Sequence, residues 1–221
     1  IRPGIGKEHE EARWIDANWG DARNGKPGIH YMLNPSLLPG DATIVEIGAW
    51  EGRDMQLFME KSPSKDVQIY AYEPMQHKID VLASNIKNFG RGQIQANPFG
   101  LGSSDRETCF LKDGGTRDEG TRELEKTETC DDNMRGVIKD VRPILAPFRI
   151  IDLLHINCEG CESEILGVIL QPGSTIAAKI QIIEVQFHAV VSEIEYCNIE
   201  ALLKANGFML DYRYQYVWEA W

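Results

Sequence analysis

Short apolar runs alternate along the chain with segments of helical period, and this alternation predicts an α/β fold built on a parallel sheet. The strand-length runs are Thr43–Ile47, Val67–Tyr72, Gln93–Asn97, Ile150–Ile156 and Ile180–Phe187. They are rich in Ile and Val and largely lack in/out alternation, the pattern of strands covered on both faces. Between the first and third, Glu51–Lys61 predicts one helix. A second carries Met75, Ile79, Leu82, Ile86 and Phe89 at steps of four and three, a continuous apolar stripe. Cys161–Leu170 predicts a helix after the fourth strand. Ser192 and Glu195 form a capping box that opens a further helix, which Gly207 closes. Phe208–Arg213 and Tyr214–Trp218 then predict a terminal antiparallel pair.

Two segments fall outside this alternation. Residues 1–40 are polar and carry Trp14, Trp19, His30 and Tyr31; they predict a helical cap laid across the C-terminal edge of the sheet, with Pro39-Gly40 leading into the domain at 41–221. Residues 105–142 are charged, contain Gly114-Gly115 and Gly120, and offer weak strands only at Thr108–Leu111 and Gly136–Val141, which predicts a lid or hairpin insertion. No internal repeat is visible, and 221 residues suit one domain with a full-sized core.

Composition narrows the partners. Thirty-four acidic against 23 basic residues give a net charge of −11, which disfavours nonspecific binding to nucleic acid or anionic lipid. Nearly half the excess sits in Asp113–Asp132, where eight acidic residues face three basic ones. If that stretch closes over a site, it favours a neutral or cationic acceptor over a phosphorylated one. No apolar run approaches the ~20 residues of a membrane span. Five cysteines are too few and too odd in number for a disulfide scaffold, which predicts a reducing, cytoplasmic setting. No signal-peptide pattern is present, and the start at Ile1 predicts a trimmed chain or a domain of a longer protein.

Candidate chemistry begins where the first strand runs into Glu46-Ile47-Gly48-Ala49-Trp50-Glu51-Gly52. A glycine there permits a tight turn and close approach of a ligand to the backbone, at the strand end where open α/β sheets bind ligands. The spacing is neither Gly-x-Gly-x-x-Gly nor that of a nucleotide phosphate loop. The second strand ends in Glu73-Pro74, a carboxylate 21 residues after Gly52, placed to accept the hydroxyls of a ribose. Together they favour an adenosine-containing ligand without a pyrophosphate, a description that S-adenosylmethionine fits.

The third element is His155-Ile156-Asn157-Cys158-Glu159-Gly160-Cys161-Glu162. With Glu46-x-Gly48-Ala49-x-x-Gly52, Glu73-Pro74 and Gly100-Leu101-Gly102-Ser103-Ser104-Asp105, the chain over residues 41–221 resembles the FkbM family of S-adenosylmethionine-dependent methyltransferases. The resemblance implies a class I, Rossmann-like three-layer fold with a mostly parallel seven-stranded sheet and an antiparallel last strand. It further implies that Glu46, Gly48, Ala49 and Gly52 cradle the methionine part of the cofactor, with Trp50 inside the turn. Glu73 would hold the ribose, Pro74 and Met75 would lie beside the adenine, and the Gly100-Leu101 loop would contact its edge. Asn157 and Glu159 would face the sulfonium and the acceptor, a hydroxyl of a polyketide, glycan or other small molecule. This sequence departs from the family at two places: His155 stands for a lysine and Asn157 for an aspartate, and an amide cannot act as a base.

For a hydroxyl acceptor, His188 at the end of the fifth strand is the best-placed base, with Glu159 and Glu184 as competitors and His155 directed into the packing of the sheet. Cys158-x-x-Cys161 admits a zinc or redox reading, but it is a single pair without ligand-spaced partners, so two small residues flanking a turn is the expectation and no metal is assigned. Three other readings stay open: a metal-dependent methyltransferase using Glu159 as a ligand, a non-catalytic binding module, and a domain of a multidomain synthase served by a carrier protein. Self-association is also left open.

Overall fold

The five Ile/Val-rich runs form the parallel centre of a seven-stranded sheet in the computed structural model, which describes residues 14–16, 31–64, 66–89, 93–112, 121–124, 130, 134–188, 192–214 and 218–221. In chain order the elements are β1 (Trp14–Asp16), β2 (Tyr31–Leu33), β3 (Thr43–Ile47), α1 (Arg53–Lys61), β4 (Gln68–Tyr72), α2 (Gln76–Phe89) and β5 (Gln93–Asn97). There follow β6 (Gly100–Gly102), β7 (Arg106–Lys112), β8 (Thr121–Leu124), β9 (Arg135–Asp140), α3 (Val141–Leu145), β10 (Leu153–Ile156) and α4 (Glu162–Ile169). The chain ends with β11 (Ile183–Gln186), α5 (Glu193–Ala205), β12 (Tyr212–Tyr214) and β13 (Trp218–Ala220).

The large sheet has the order β12-β13-β11-β10-β3-β4-β5. The strands from β11 to β5 are parallel to one another, and β13 pairs antiparallel with both β11 and β12. The chain builds outward from β3 to β5 and then returns to the other side of β3 as β10. The carboxyl ends of β3 and β10 therefore flank the switch in strand order, where sheets of this kind open a crevice.

Both faces of the sheet are covered. Ile44 and Ile69 meet Met55, Phe58 and Met59 of α1 and Leu82 of α2 on one side. On the other, Val45, Ile47, Leu154 and Ile156 meet Ile165 and Leu166 of α4 and Leu203 of α5. Helix α5 opens with both limbs of the capping box, Ser192 bonding the Glu195 amide and Glu195 bonding back to Ser192.

The described strands of the insertion belong to a second sheet. Strands β6, β9, β7 and β8 form a second sheet in that order, with β6 and β9 parallel and the others antiparallel. A disulfide joins Cys109 to Cys130, and Met75, Phe110 and Ile138 make a small core where this sheet meets the end of β4. Arg106 forms a two-bond pair with Glu164 of α4 at 2.9 Å each, fastening the sheet to the main layer. Gly114-Gly115, Gly120 and most of Asp113–Asp132 lie outside the described residues.

At the N-terminal end, β1 and β2 form an antiparallel pair where helices were expected, followed by one 3₁₀ turn at Pro35–Leu37. The pair is anchored from outside its own sequence: the Leu33 amide donates to Glu184 Oε1 at 2.8 Å, and Met32 and Leu33 join the core. Trp19 and His30 lie outside the described residues. Four of the five cysteines are paired, Cys109–Cys130 and Cys158–Cys161, against the free thiols that a reducing setting predicts. Among the described residues no helix is long and apolar enough to cross a membrane.

Candidate active site

Gly48, Glu73, Asn157 and His188 follow the carboxyl ends of β3, β4, β10 and β11, whereas Glu46 and Glu184 lie within their strands. The backbone turns sharply at Gly48, where φ is +86° and a Cβ would overlap the Asn157 carbonyl. The missing side chain of Gly48 is thus used by β10's own continuation and leaves no open cradle for a ligand. The turn also keeps its donors inside: the Gly48 and Ala49 amides bond the Tyr72 carbonyl at 3.0 and 3.1 Å, and the Trp50 amide bonds Glu73 Oε2 at 2.9 Å. Gly52 packs against Leu82 and Phe89. Trp50 adopts φ +46°, and its ring lies 4.6 Å from both the Arg53 guanidinium and the Lys78 ammonium.

Beneath the turn lies a line of polar residues fixed by strand register. Glu46 on β3 stands opposite His155 on β10, which stands opposite Glu184 on β11. All three are buried. His155 Nδ1 lies 3.0 Å from Glu184 Oε2, and its Nε2 lies 3.3 Å from Asp54 Oδ2 on α1. Burial works against a charged imidazole, yet these two carboxylates raise the His155 pKa to about 10. The ring is therefore an imidazolium at neutral pH, packed between Trp218 and Phe58. Placement of His155 in the packing matches the sequence expectation; Asp54 was missed there, its one sequence signal being an acid in the first turn of a helix that follows a glycine turn.

Glu46 is the unsatisfied member of this group. Its Oε2 is buried with no hydrogen-bond partner, and burial, with Asp54 and Glu73 nearby, pushes its pKa up to about 8. Glu73 is 4% exposed and accepts from the Met75 and Trp50 amides. Burial nonetheless pushes it up to about 7. Both oxygens hold the two loops in place, and each keeps lone-pair capacity for a further donor.

The expected adenine wall differs. Gly100 and Leu101 belong to strand β6, and the Leu101 side chain is buried in the core, so they form no loop facing a ligand. Gly100 leaves room for Ile138 and Pro74, and Met75 is bridged to Gly136 of β9. The second sheet thus packs directly on Pro74-Met75.

Across the crevice, the segment after β10 brings Glu159 and Glu162 to His188, while Asn157 bonds back to the Ile47 carbonyl through its backbone amide. His188 Nδ1 lies 2.6 Å from Glu162 Oε1 and Nε2 lies 3.0 Å from Glu159 Oε1. Burial opposes the charge, but hydrogen bonds to Glu159 and Glu162 raise the His188 pKa to about 9. With both nitrogens donating, this imidazolium has no lone pair for a substrate proton near neutral pH, which conflicts with the general-base role expected for it. Glu162, the partner that holds it, is fully buried with Oε2 unpartnered, whereas the Glu159 side chain is 40% exposed. Glu184 serves Leu33 and His155 and is closed off from the crevice. Cys158 and Cys161 are a disulfide and not merely small residues at a turn. Among the described residues, no group of three or more His, Cys, Asp or Glu is arranged to hold a metal.

No family model matches the chain, and no curated protein matches it in sequence. Solved structures are similar to it at low identity. A provisionally assigned rRNA methylase of Clostridium thermocellum aligns at TM-score 0.50 and 7% identity over 84% of this chain and 88% of that one. The methyltransferase FkbM of Methylobacillus flagellatus KT aligns at 0.47 and 12% over 89% of this chain and 44% of that one, so this chain spans less than half of it. Aeropyrum pernix fibrillarin, crystallised with natively bound S-adenosyl-L-methionine, aligns at 0.44 and 10% over 93% and 85%. The rRNA methylase corrects one expectation: nucleic acid is not excluded as a partner. Net charge is a property of the whole surface, whereas a nucleic-acid contact is local, so −11 is no ground for that exclusion. The likeness extends to the fold, and the order and directions of the strands make it the class I, Rossmann-like methyltransferase fold.

Proposed function

We propose that this chain is an S-adenosylmethionine-dependent methyltransferase, related to the FkbM type, that methylates a hydroxyl group of a small molecule. The observation that carries the reading is the carboxylate Glu46: buried at the switch point, one oxygen unpartnered, and pushed up to about 8 beside Asp54 and Glu73. Glu46 is protonated at neutral pH in the free chain, and a cation bound beside it would favour its ionised form, so the site suits a cationic ligand. The methionyl ammonium of the cofactor supplies such a cation, so Glu46 would hold that end and Glu73 the ribose hydroxyls. The glycine turn contributes shape and not donors, since its amides are already committed.

The cofactor supplies a methyl group already activated for in-line displacement, so the protein's part is to align the acceptor and exclude water. As the acceptor oxygen begins to bond to carbon it becomes strongly acidic, and a carboxylate then suffices to take its proton. Glu159, 40% exposed just past the end of β10, is that group. His188, held from behind by Glu162, positions Glu159 and stabilises its charged form. The hydroxyl acceptor rests on the resemblance of Glu46–Gly52, Glu73-Pro74 and Glu159-Gly160-x-Glu162 to the FkbM motifs.

Titration calorimetry tests the cofactor assignment. S-adenosylmethionine and S-adenosylhomocysteine should both bind, and Glu46→Gln should weaken both by roughly 10- to 100-fold, the loss of ~1.5–3 kcal/mol expected for a hydrogen bond to a charged group. Equal losses are expected because both ligands carry the ammonium. An unchanged dissociation constant for both removes Glu46 from the site.

A further inference from the structure

Methyl transfer has no use for the disulfide between Cys158 and Cys161, yet it lies in the segment that supplies Glu159. The bond spans only Glu159 and Gly160, both in the left-handed region of the backbone at φ +57° and +123°. For a glutamate that conformation is unfavourable and persists only where the surroundings enforce it. Two constraints do so: the ring closed by the disulfide, and the contact of Glu159 Oε1 with His188 Nε2 at 3.0 Å. Both cysteines are partly exposed, whereas the other disulfide joins the partly exposed Cys130 to a buried Cys109.

The two sulfurs are not equivalent. Cys161 is the N-cap residue of α4 and makes no side-chain capping bond, so its sulfur stands at the first turn of the helix, where unpaired amides and the helix dipole favour a thiolate. A thiol stabilised as the thiolate is the better leaving group in exchange.

We propose that Cys158–Cys161 is a thiol–disulfide exchange site whose redox state sets where Glu159 stands against His188. The reductant is a dithiol. One of its thiolates attacks Cys158 Sγ, forming a mixed disulfide while the Cys158–Cys161 bond breaks and Cys161 leaves as a thiolate. The second thiol of the reductant, deprotonated, then attacks the mixed disulfide and expels Cys158. The protein gains two electrons and two protons, and the dithiol becomes a disulfide. Opening the ring removes one of the two constraints on Glu159-Gly160, and the segment relaxes away from His188.

The test needs neither cofactor nor acceptor, so it stands apart from the methyltransferase reading. The whole chain is equilibrated in graded mixtures of reduced and oxidised dithiothreitol, alkylated, and its cysteine peptides are quantified by mass spectrometry. Cys158–Cys161 should open at a reduced-to-oxidised ratio at least tenfold lower than Cys109–Cys130; opening at the same or a higher ratio overturns the exchange site. In parallel, ¹⁵N imidazole spectra, with His188 assigned by His188→Gln, should show its Nε2 signal shift on reduction in the wild type and in the Cys109→Ser/Cys130→Ser variant. Cys158→Ser/Cys161→Ser should show the shifted signal without reductant. A His188 signal indifferent to reduction overturns the coupling. Should the double-serine variant not fold, return of the wild-type signal on reoxidation decides the question.

Discussion

Gly48 illustrates how a legible residue can have a different purpose from the one its motif suggests. From sequence, a glycine after a buried strand reads as room for a ligand; in the fold that room is filled by the Asn157 carbonyl. Gly48→Ala must adopt a positive φ and displace the neighbouring strand end. We expect it to destabilise the chain by about 2–4 kcal/mol in urea unfolding, the range of a combined backbone and packing lesion. A loss below ~1 kcal/mol would mean that the β10 end moves freely. Glu73 and Glu159 were recognisable because their motifs place a carboxylate at a strand end. What their neighbours do to them was not: Glu73 is occupied by two amides, and His188 changes from base to positioning residue because Glu159 and Glu162 take both its nitrogens. Those contacts join residues distant in sequence, so no local pattern contains them.

At the level of elements, the central strands and four of the five α-helices among the described residues were legible because hydrophobic period and capping are local. The last two strands were legible as an antiparallel pair but not in their bounds. They lie at Tyr212–Tyr214 and Trp218–Ala220, later than the predicted Phe208–Arg213 and Tyr214–Trp218. Their register follows Glu219, which is buried and accepts from Arg213 Nε at 2.6 Å, Tyr196 Oη at 2.5 Å and Trp221 Nε1 at 2.9 Å. This carboxylate ties α5, β12 and the end of the chain together. Glu219→Ala removes the acceptor of the buried Trp221 Nε1, of Tyr196 Oη and of Arg213, which keeps Glu200, and is expected to cost about 1–3 kcal/mol, the penalty for leaving a buried donor unsatisfied. Amide exchange should rise first in β12 and β13, with β3 and β4 still protected; uniform loss of protection would show that Glu219 is not specific to this edge. The N-terminal pair was misread as helical for a similar reason: β2 is anchored through the Leu33 amide by Glu184, a contact that residues 1–40 cannot announce.

For the whole molecule, four buried groups set the pH dependence of stability. His155 and His188 titrate at about 10 and 9 against an ordinary 6.5, and Glu46 and Glu73 at about 8 and 7 against 4.5. The histidines contribute stability that is full below pH 6.5 and is lost as pH rises through 9 and 10. The glutamates stay protonated in the folded chain after they ionise in the unfolded one, so they penalise folding increasingly from pH 4.5 up to 7 and 8. Both effects have one sign, because the folded state binds the extra protons throughout. The melting temperature should therefore fall from pH 5.5 to 9.5, and Glu46→Gln should flatten the slope below pH 8; a maximum at pH 8 or above would contradict the assigned protonation states. The sequence by itself determined the order of strands and helices, the Gly48–Gly52 turn and the carboxylates at the strand ends, since each follows from spacing along a short stretch of chain. Only the tertiary structure decided that β6, β7, β8 and β9 form a second sheet, that Glu46, His155 and Glu184 share one buried row, and that the Cys158–Cys161 pair lies beside His188. Strand register brings Glu46 opposite His155 across more than a hundred residues, and desolvation then sets their charge; neither is expressed in any local pattern.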